Sequence, residues 1–447
     1  MFEVPEWAAN KVVYQIFPSR FAATEPVDKE LWYKAPITPM DDLHGNLRGI
    51  IEHMDDIQNL GIDVLYMTPI FQSNSCHKYD TTDYYQIDPS FGTTEDLKEL
   101  VQKAHERGMK VVLDAVYNHT GREFFAFADI LENGEKSKYR DWYFIDGFPL
   151  KSEWGEIPNF KCFGYYGGMP KLNLKNPEVE KYITDVACYW IKECDIDGWR
   201  LDVGDEISHF FWKNFRKAVK AVKKDMLIIG EIWHYAGDFL EGDEWDTVMN
   251  YPFYLNLIDL LADEKITVSQ FVQNLGYLKG RLHKNCYPLM WNLIDSHDTA
   301  RFLHLCNNNK KKQHLAAAFQ LLLPGMPMIY YGDEYAMPGA NDPDCRRGMY
   351  WDEEYQDKEM YEWYKRLIQV RKSHACIVEG ELAGSVTEDE EGTIVLIRKN
   401  GEETIAMIFN CSSSAKKFNE YTQKYNLLTE NTFDGNVEGF DAAVIVL

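Results

Sequence analysis

Residues 110–119 read KVVLDAVYNH, the most informative stretch of this sequence for its fold. A run of apolar and β-branched residues from Val111 is followed at once by Asp114 and then by Asn118 and His119. Such a run predicts a buried strand. In a parallel α/β barrel, the polar residues that follow a strand lie at the catalytic face. The stretch therefore predicts a barrel strand that ends in a functional site.

Seven further short runs rich in apolar and β-branched residues alternate with amphipathic helical segments. They are VVYQIFP from Val12, DVLYMTP from Asp63, GWRLDV from Gly198, MLIIGEIW from Met226, TVMNYPF from Thr247, LMWNLIDSHD from Leu289 and PMIYYGDE from Pro327. Eight strands with intervening helices predict an α/β fold of the TIM (β/α)8 barrel type. Thr94 is the predicted N-cap of the helix that follows the second run.

Two regions depart from this alternation. Residues 120–175 are rich in Gly, Trp, Tyr and Phe and too long for an ordinary loop, so they predict an inserted subdomain after strand three. After His374 the helical spacing stops, and GTIVLIRK, ETIAMIFN and AAVIVL predict a C-terminal antiparallel β-sandwich over 376–447. The catalytic barrel is then predicted to comprise 1–119 and 176–375.

Composition limits the possible partners. The 447 residues carry a formal net charge of -24, and 14% of them are aromatic. Nucleic acids and anionic membranes attract basic surfaces, so neither is a predicted partner, whereas aromatic faces suit neutral sugar rings. The first residues lack the pattern of a secretory leader, and the nine cysteines lack metal-ligand spacing. We expect a cytoplasmic protein with reduced thiols; the oligomeric state stays open, a monomer included.

Three carboxylates at strand ends are the candidate catalytic groups: Asp202, Glu231 and Asp298. Neighbouring strands lie about 4.8 Å apart, so Asp202 and Glu231 are expected near the roughly 5 to 5.5 Å separation of retaining glycosidases. Arg200 is expected to lower the pKa of Asp202 and keep this nucleophile ionised. Glu231 is expected to hold the proton for the leaving oxygen. Each residue alone is compatible with an ion pair or a helix cap, but their coincidence at strand ends favours catalysis.

Four strings resemble the conserved regions of the α-amylase family of glycoside hydrolases, in the same order. They are DAVYNH at 114–119, GWRLDVGDE at 198–206, GEIWH at 230–234 and LIDSHD at 293–298. Others resemble the cyclomaltodextrinase, neopullulanase and maltogenic amylase branch: KYDTTDYYQIDPSFGT from Lys78, MPKLN at 169–173, MNYPF at 249–253 and YYGDEYAMPGANDPDCRRGM from Tyr330. The resemblance implies Asp202 as nucleophile, Glu231 as general acid/base and Asp298 as transition-state stabiliser.

The resemblance also implies substrate-binding residues and a reaction. The residues expected around the reacting glucose are His77, Tyr79, His119, Arg200 and His297, with Tyr79 stacked beneath the ring. Asp342 and Arg346 are expected to bind the next sugar on the non-reducing side, and Glu206 and Trp233 to face the acceptor. The implied reaction is hydrolysis of α-1,4-glucosidic bonds in maltooligosaccharides, cyclodextrins or starch-type glucans. Transglycosylation, phosphorolysis and a non-catalytic amylase-like partner subunit are the alternatives.

Two features depart from that branch. Its members usually carry an N-terminal β-domain, whereas here the first strand begins by residue 12, so we expect that domain to be lacking and the cleft to be more open. In the loop after strand one, Glu25 and Asp28 are the nearby carboxylates, while hard cations take about six to eight oxygen ligands. No metal cofactor is therefore predicted, although Asn118 resembles a calcium ligand of the wider family.

Overall fold

The eight predicted runs form the strands of one parallel sheet in a computed structural model that describes residues 3–151 and 157–447. The strands are β1 (Val13–Ile16), β2 (Val64–Met67), β3 (Lys110–Ala115), β4 (Gly198–Leu201), β5 (Leu227–Gly230), β6 (Thr247–Val248), β7 (Trp291–Asn292) and β8 (Met326–Tyr330). In sheet order they run β6, β5, β4, β3, β2, β1, β8, β7. A parallel bridge between Met249 and Trp291 joins the two ends. The predicted (β/α)8 barrel is confirmed.

The strands are buried on both faces, which explains their apolar sequences. In β2, Val64 and Tyr66 belong to the cluster inside the barrel. The alternate residues Leu65 and Met67 pack in the larger cluster between the strands and the surrounding helices. Burial on both faces is the reason that the strands read as nearly continuous apolar runs.

Helices surround the barrel. The longer ones are Met54–Leu60, Thr94–Glu106, Phe125–Asn133, Pro177–Cys194, His209–Val222, Tyr251–Leu257, Val268–Arg281, Lys310–Leu322 and Lys358–Ser373; the shorter ones are Pro18–Phe21, Lys29–Trp32, Leu47–Glu52, Phe302–Leu305 and Cys376–Glu379. The predicted cap on Thr94 was wrong by one residue. Thr93 is the N-cap, because its hydroxyl accepts from the Asp96 N–H and the Asp96 carboxylate accepts from the Thr93 N–H in a capping box. None of the helices in the described ranges is long and apolar enough to cross a bilayer.

The chain leaves the barrel twice between β2 and the helix that begins at Pro177. An antiparallel pair, Phe71–Ser73 with Thr81–Ile87, precedes β3. After β3, the described part of 120–175 contains Phe125–Asn133 and is tied together by isolated antiparallel bridges. Residues 152–156 of this predicted subdomain lie outside the described residues, and the predicted domain boundaries stay a prediction.

The predicted C-terminal antiparallel strands are confirmed. They are β9 (Glu381–Glu388), β10 (Thr393–Asn400), β11 (Glu403–Asn410) and β12 (Asp441–Val446), and the pair Tyr425–Asn426 and Asn431–Thr432 completes a six-stranded sheet. One face of this sheet packs on a barrel helix, where the Phe319 and Phe409 rings stack with centroids 4.3 Å apart. A second apolar cluster of this domain includes Val437 from the ribbon of Lys416–Lys417 and Asn436–Val437, and Phe418, which follows the first of these strands.

Candidate active site

One buried arginine gathers the carboxyl groups at the carboxyl ends of the strands. Arg200 Nη1 donates to Asp114 Oδ1 at 3.0 Å and to Asp202 Oδ1 at 3.0 Å. Its Nη2 lies 3.0 Å from Glu231 Oε2 and 3.9 Å from Asp298 Oδ2. The strand register explains part of this, because Asp114 is paired with Arg200 across β3 and β4. The three predicted carboxylates therefore meet around a single cation.

This cluster contains more carboxyl groups than Arg200 can neutralise. Burial raises the pKa of Asp202 well above its usual value, Arg200 opposes this, and the charge of Glu231 adds to it. Burial, followed by the charge of Glu231, raises the pKa of Asp298 to about 7. Arg200 does lower the pKa of Asp202, but the expectation that the pKa falls below its usual value was wrong, because burial outweighs the attraction of a guanidinium that is shared with other carboxylates. The cluster as a whole therefore retains protons near neutral pH.

His297 is neutral and connects Tyr79 to Asp298. Gln15 Nε2 lies 2.8 Å from His297 Nδ1, and since an amide nitrogen donates, Nδ1 is the acceptor and Nε2 carries the proton. That Nε2 lies 2.5 Å from the Tyr79 hydroxyl and 3.1 Å from Asp298 Oδ1. Burial, followed by the charge of Arg346, lowers the pKa of His297 well below its usual value. The imidazole is thus a neutral hydrogen-bond donor on the cavity side.

Two further predicted histidines hold the backbone of Tyr79. His119 Nε2 lies 3.0 Å from the Tyr79 carbonyl oxygen, and the Tyr79 N–H donates to His77 Nδ1 at 3.0 Å. Burial lowers the pKa of His119 to about 4, so this ring is also neutral near pH 7. Its face stacks on Phe163 with centroids 5.1 Å apart.

The carboxyl group of Glu231 receives one donor on each oxygen. The Val203 N–H donates to Oε2 at 2.9 Å, and Trp233 Nε1 donates to Oε1 at 3.2 Å. Val203 has φ 47° and ψ 44°, a left-handed conformation that β-branched residues rarely adopt. The Trp233 indole is 42% exposed and stacks on the Tyr251 ring at 4.0 Å. Glu231 is therefore oriented by a strained backbone donor and by a half-exposed aromatic side chain.

Gly230, immediately before Glu231, is required by packing. A Cβ atom at this position would lie 2.2 Å from the Trp245 ring. Trp245 is fully buried and stacks on Phe239 with centroids 4.1 Å apart. The indole has no room to withdraw, so only a glycine lets β5 run past it to Glu231.

A cavity of about 290 Å³ opens over the carboxyl groups. Nine of the predicted site residues line it: His77, Tyr79, His119, Asp202, Glu231, Trp233, Asp298, Asp342 and Arg346. Arg200 and His297 lie behind this lining and are fully buried. Glu206 is outside it, in an ion pair with Lys171 at 2.8 Å. Phe163, Met169 and Val203 also line the cavity, but the sequence did not predict them. Phe163 and Met169 belong to the irregular insertion, where no periodic pattern indicates which side chains face the cavity.

The cavity lining also contains an arginine between two aspartates. Arg346 Nη1 lies 2.8 Å from Asp342 Oδ1, and Nη2 lies 3.5 Å from Asp298 Oδ1. Its Nε donates to the His297 carbonyl oxygen at 2.8 Å. The predicted binding pair Asp342 and Arg346 is therefore joined directly to the third carboxylate.

The described ranges contain no group of three or more His, Cys, Asp or Glu side chains arranged to hold a metal ion. In the loop after β1, Asp28 caps the helix Lys29–Trp32 by accepting from the Glu30 N–H at 2.8 Å. The amide oxygen of Asn118 accepts from the ammonium of Lys171. A metal-free site stays a prediction.

Both the barrel and its sequence match known proteins. Residues 15–380 match the family model described as "Alpha amylase, catalytic domain". The chain belongs to the α-amylase family. This α-amylase family glycoside hydrolase is 46% identical over 419 residues to a cyclomaltodextrinase of Geobacillus thermopakistaniensis, an alignment that covers 93% of this chain and 71% of that protein.

Solved structures extend the match to the whole described fold. A cyclomaltodextrinase structure superposes with a TM-score of 0.94 at 39% identity and covers 100% of this chain and 79% of its own. A cyclic alpha-maltosyl-(1→6)-maltose hydrolase from Arthrobacter globiformis, in complex with cyclic alpha-maltosyl-(1→6)-maltose, superposes with a TM-score of 0.91 at 35% identity and covers 99% and 100%. Both neighbours are hydrolases of the same fold by their names and geometry.

Proposed function

We propose that this enzyme hydrolyses α-1,4-glucosidic bonds in maltooligosaccharides, cyclodextrins or starch-type glucans, with retention of anomeric configuration. The observation that carries the proposal is the meeting of Asp202, Glu231 and Asp298 around Arg200 at the edge of one cavity. The similarity to enzymes named cyclomaltodextrinase supports the substrate class. The proposal includes no metal cofactor, because neutral histidines and arginines supply the polar contacts around the carboxylates.

In the first step, Asp202 is the proposed nucleophile. Its Oδ1 is held by Arg200 at 3.0 Å, so Oδ2 is the oxygen that attacks the anomeric carbon. The bond from that carbon to the leaving oxygen breaks as the glycosyl-enzyme bond forms. In the reactive form, the proton lies on Glu231 and the negative charge lies on Asp202, where the guanidinium stabilises it.

Glu231 is the proposed general acid and then the general base. Its Oε2 accepts from the Val203 N–H and lies 3.0 Å from Arg200 Nη2, so Oε1, beside Trp233, faces the leaving group. Oε1 gives its proton to the leaving oxygen. In the second step, the same carboxylate takes a proton from water, and the resulting hydroxide oxygen displaces Asp202 from the anomeric carbon.

Asp298 is proposed to bind sugar hydroxyls and to favour the distorted ring of the transition state. The His297 Nε2–H and Arg346 Nη2 lie beside its carboxyl group, so these donors and the carboxylate are available to the same hydroxyls. Tyr79 is the flat face expected beneath the reacting glucose, and Trp233 is the exposed aromatic face expected at the acceptor. Asp342 is expected to bind the preceding sugar.

The proposal is tested with purified enzyme on maltotriose, β-cyclodextrin, starch and pullulan. We expect glucose and maltose as products, with the α-anomer appearing first in the proton NMR spectrum. Glu231→Gln should lower kcat on maltotriose by roughly 10²- to 10⁴-fold. Asp238→Asn, which alters an exposed carboxylate in the segment after β5, is the matched control and should keep wild-type rates.

Four results would contradict the proposal, and each would indicate a different alternative. A β-anomer as the first product would mean an inverting mechanism, and no turnover on any of the glucans would refute glycosidase activity. Oligosaccharides longer than the substrate, formed at high maltose concentration, would identify transfer as the main reaction. Release of glucose 1-phosphate that depends on added phosphate would identify phosphorolysis.

Cleavage of α-1,6 bonds is the second candidate. The observation that favours it is the full-length match to a structure named as a hydrolase of a cyclic (1→6)-linked maltose. Pullulan contains both linkages, so its products separate the candidates: panose indicates α-1,4 cleavage and maltotriose indicates α-1,6 cleavage.

A further inference from the structure

The ammonium group of Lys171 is surrounded by three oxygens beside the cavity. It donates to the Asn118 side-chain oxygen, to the Glu206 carbonyl oxygen at 3.1 Å and to Glu206 Oε2 at 2.8 Å. An ammonium has three donors, so this set uses all of them. The Lys171 side chain is 18% exposed. We call Asn118, Lys171 and Glu206 the Lys171 cluster.

The Lys171 cluster joins three segments that are distant in sequence. Asn118 follows β3 and is buried. Lys171 belongs to the insertion, and its backbone is fixed next to Asn118, because the Leu172 N–H donates to the Asn118 carbonyl oxygen at 3.0 Å. Glu206 ends the 3₁₀ turn Gly204–Glu206 that follows β4. The ammonium therefore anchors this turn to both the barrel and the insertion.

Val203, immediately before that turn, supplies the backbone N–H that donates to Glu231. The Val203 N–H donates to Glu231 Oε2 at 2.9 Å from a left-handed conformation. A β-branched residue stays in such a conformation only when its surroundings hold it there. The Glu206 N–H donates to the Val203 carbonyl oxygen at 3.1 Å, so the residue that Lys171 grips is bonded directly to the strained one.

The other end of the turn has separate anchors. Trp212 Nε1 donates to the Gly204 carbonyl oxygen at 2.8 Å, and the Gly204 N–H donates to the Glu231 carbonyl oxygen at 3.2 Å. Removing the Lys171 ammonium therefore releases Glu206, whose N–H holds the Val203 carbonyl oxygen, while Gly204 keeps its own hydrogen bonds. The barrel and the strand that carries Asp202 keep their own hydrogen bonds.

We propose that Lys171 is a positioning residue for proton transfer: it holds the 203–206 turn so that the Val203 N–H orients the Glu231 carboxyl group toward the leaving oxygen. This inference rests on the role of Glu231 in the proposed function. It assigns Lys171 and Val203 to one step, protonation of the leaving group, and not to sugar binding.

The test compares two leaving groups. Departure of glucose from maltotriose needs a proton, whereas release of 4-nitrophenol from 4-nitrophenyl α-maltoside needs little help from an acid. Lys171→Met should lower kcat/KM on maltotriose by roughly 10- to 100-fold, mainly through kcat, and on the aryl glycoside by less than about threefold. Lys175→Met, at an exposed lysine of the same segment, is the matched control and should leave both rates unchanged.

A second variant tests the route through Val203. Glycine adopts the left-handed conformation without steric cost, so Lys171→Met combined with Val203→Gly should recover much of the maltotriose rate. If circular dichroism shows that Lys171→Met does not fold, Lys171→Gln, which removes the charge and keeps an amide donor, is judged by the same two criteria. Equal losses on both substrates, or no recovery in the double variant, would overturn the inference. Failure of the wild type to act on either substrate would instead overturn the proposed function.

Discussion

Two arginines of this barrel, Arg200 and Arg301, are fully buried among carboxyl groups, and the lining of the active-site cavity includes carboxyl groups of only the first of these two clusters. Arg200 contacts the three candidate catalytic carboxylates. Arg301, also fully buried, pairs with Asp333 at 3.0 Å, and Asp295 adds to the charge around it. The residue types are the same in both clusters. Access to the cavity, and not composition, separates the candidate reactive cluster from the enclosed one.

Backbone groups complete the enclosed cluster. Arg301 Nη1 donates to the Tyr331 carbonyl oxygen at 2.7 Å, and its Nε donates to that of Cys345 at 3.1 Å. Asp295 Oδ2 accepts from the Phe302 N–H at 2.6 Å. Burial, followed by the charge of Asp295, raises the pKa of Asp333 well above its usual value, which favours the protonated form of this carboxyl group. The charged groups of this cluster bind other groups of the protein, whereas those around Arg200 line a cavity that can admit a substrate.

The largest expected effect is on chemistry in the open cluster. Asp202→Asn removes the proposed nucleophile, so kcat on maltotriose should fall by about 10⁴-fold or more. The free energy of unfolding should stay equal or rise, because one carboxyl group leaves a crowded buried site. Urea unfolding followed by tryptophan fluorescence measures this second quantity. A stable variant with activity within tenfold of wild type would show that Asp202 is not the nucleophile.

The next effect is on stability in the enclosed cluster. Arg301→Leu leaves buried carboxyl groups without their cation and should lower the free energy of unfolding by about 3–5 kcal/mol. Asp333→Asn is the matched control: its amide has the shape of a protonated carboxyl group and keeps an oxygen that accepts from Arg301, so the change should stay within about 1 kcal/mol. Urea midpoints and kcat per folded molecule are measured for both variants. A lower kcat with an unchanged midpoint in Arg301→Leu would mean that the enclosed cluster takes part in the chemistry.

The smallest effect is the pH dependence that the two clusters share. The pKa of Asp298 in the open cluster and that of Glu334, which binds Tyr14 beside the enclosed one, are both raised by burial to about 7 from 3.8 and 4.5. Each folded-state carboxyl keeps a proton that the unfolded chain releases, so wild-type stability falls as pH rises from about 4 to about 7. The stability of Asp298→Asn relative to wild type should increase over that window, by at most about 4 kcal/mol.

Glu334→Gln is the control for this pH dependence. It should show the same stability trend between pH 4 and 8, measured by thermal unfolding, while its kcat stays at the wild-type value. Asp298→Asn should show the trend together with a large loss of kcat. A flat difference between wild type and Asp298→Asn across this range would mean that Asp298 is ionised in the folded protein throughout.

The strands could be predicted because their signal is local. Even β6 and β7, with two residues each, were found from apolar runs that end in polar residues. The charge state of Asp202 could not be predicted, since it depends on how many other carboxyl groups share Arg200 after folding. The predicted sugar-binding residues assembled around one cavity, yet their individual roles stay predictions.

The residues that were missed had no local pattern. Gln15 lies within the run that became β1 and reads as one polar residue of a strand, although it determines the tautomer of His297. Lys171 lies in the MPKLN string, which marked the branch without indicating a contact to Glu206. Such contacts join segments far apart in sequence, and neither periodicity nor composition records them.

The packing around Gly230 constrains how this position can change during evolution. Any single substitution there meets an indole that is itself clamped against Phe239, so a replacement would be tolerated only after a second change at Trp245. A drifting sequence would therefore have to cross an unfavourable intermediate in order to alter a residue that performs no chemistry. Purifying selection on this glycine would reflect the packing behind Glu231, whereas selection on Glu231 itself would reflect the reaction.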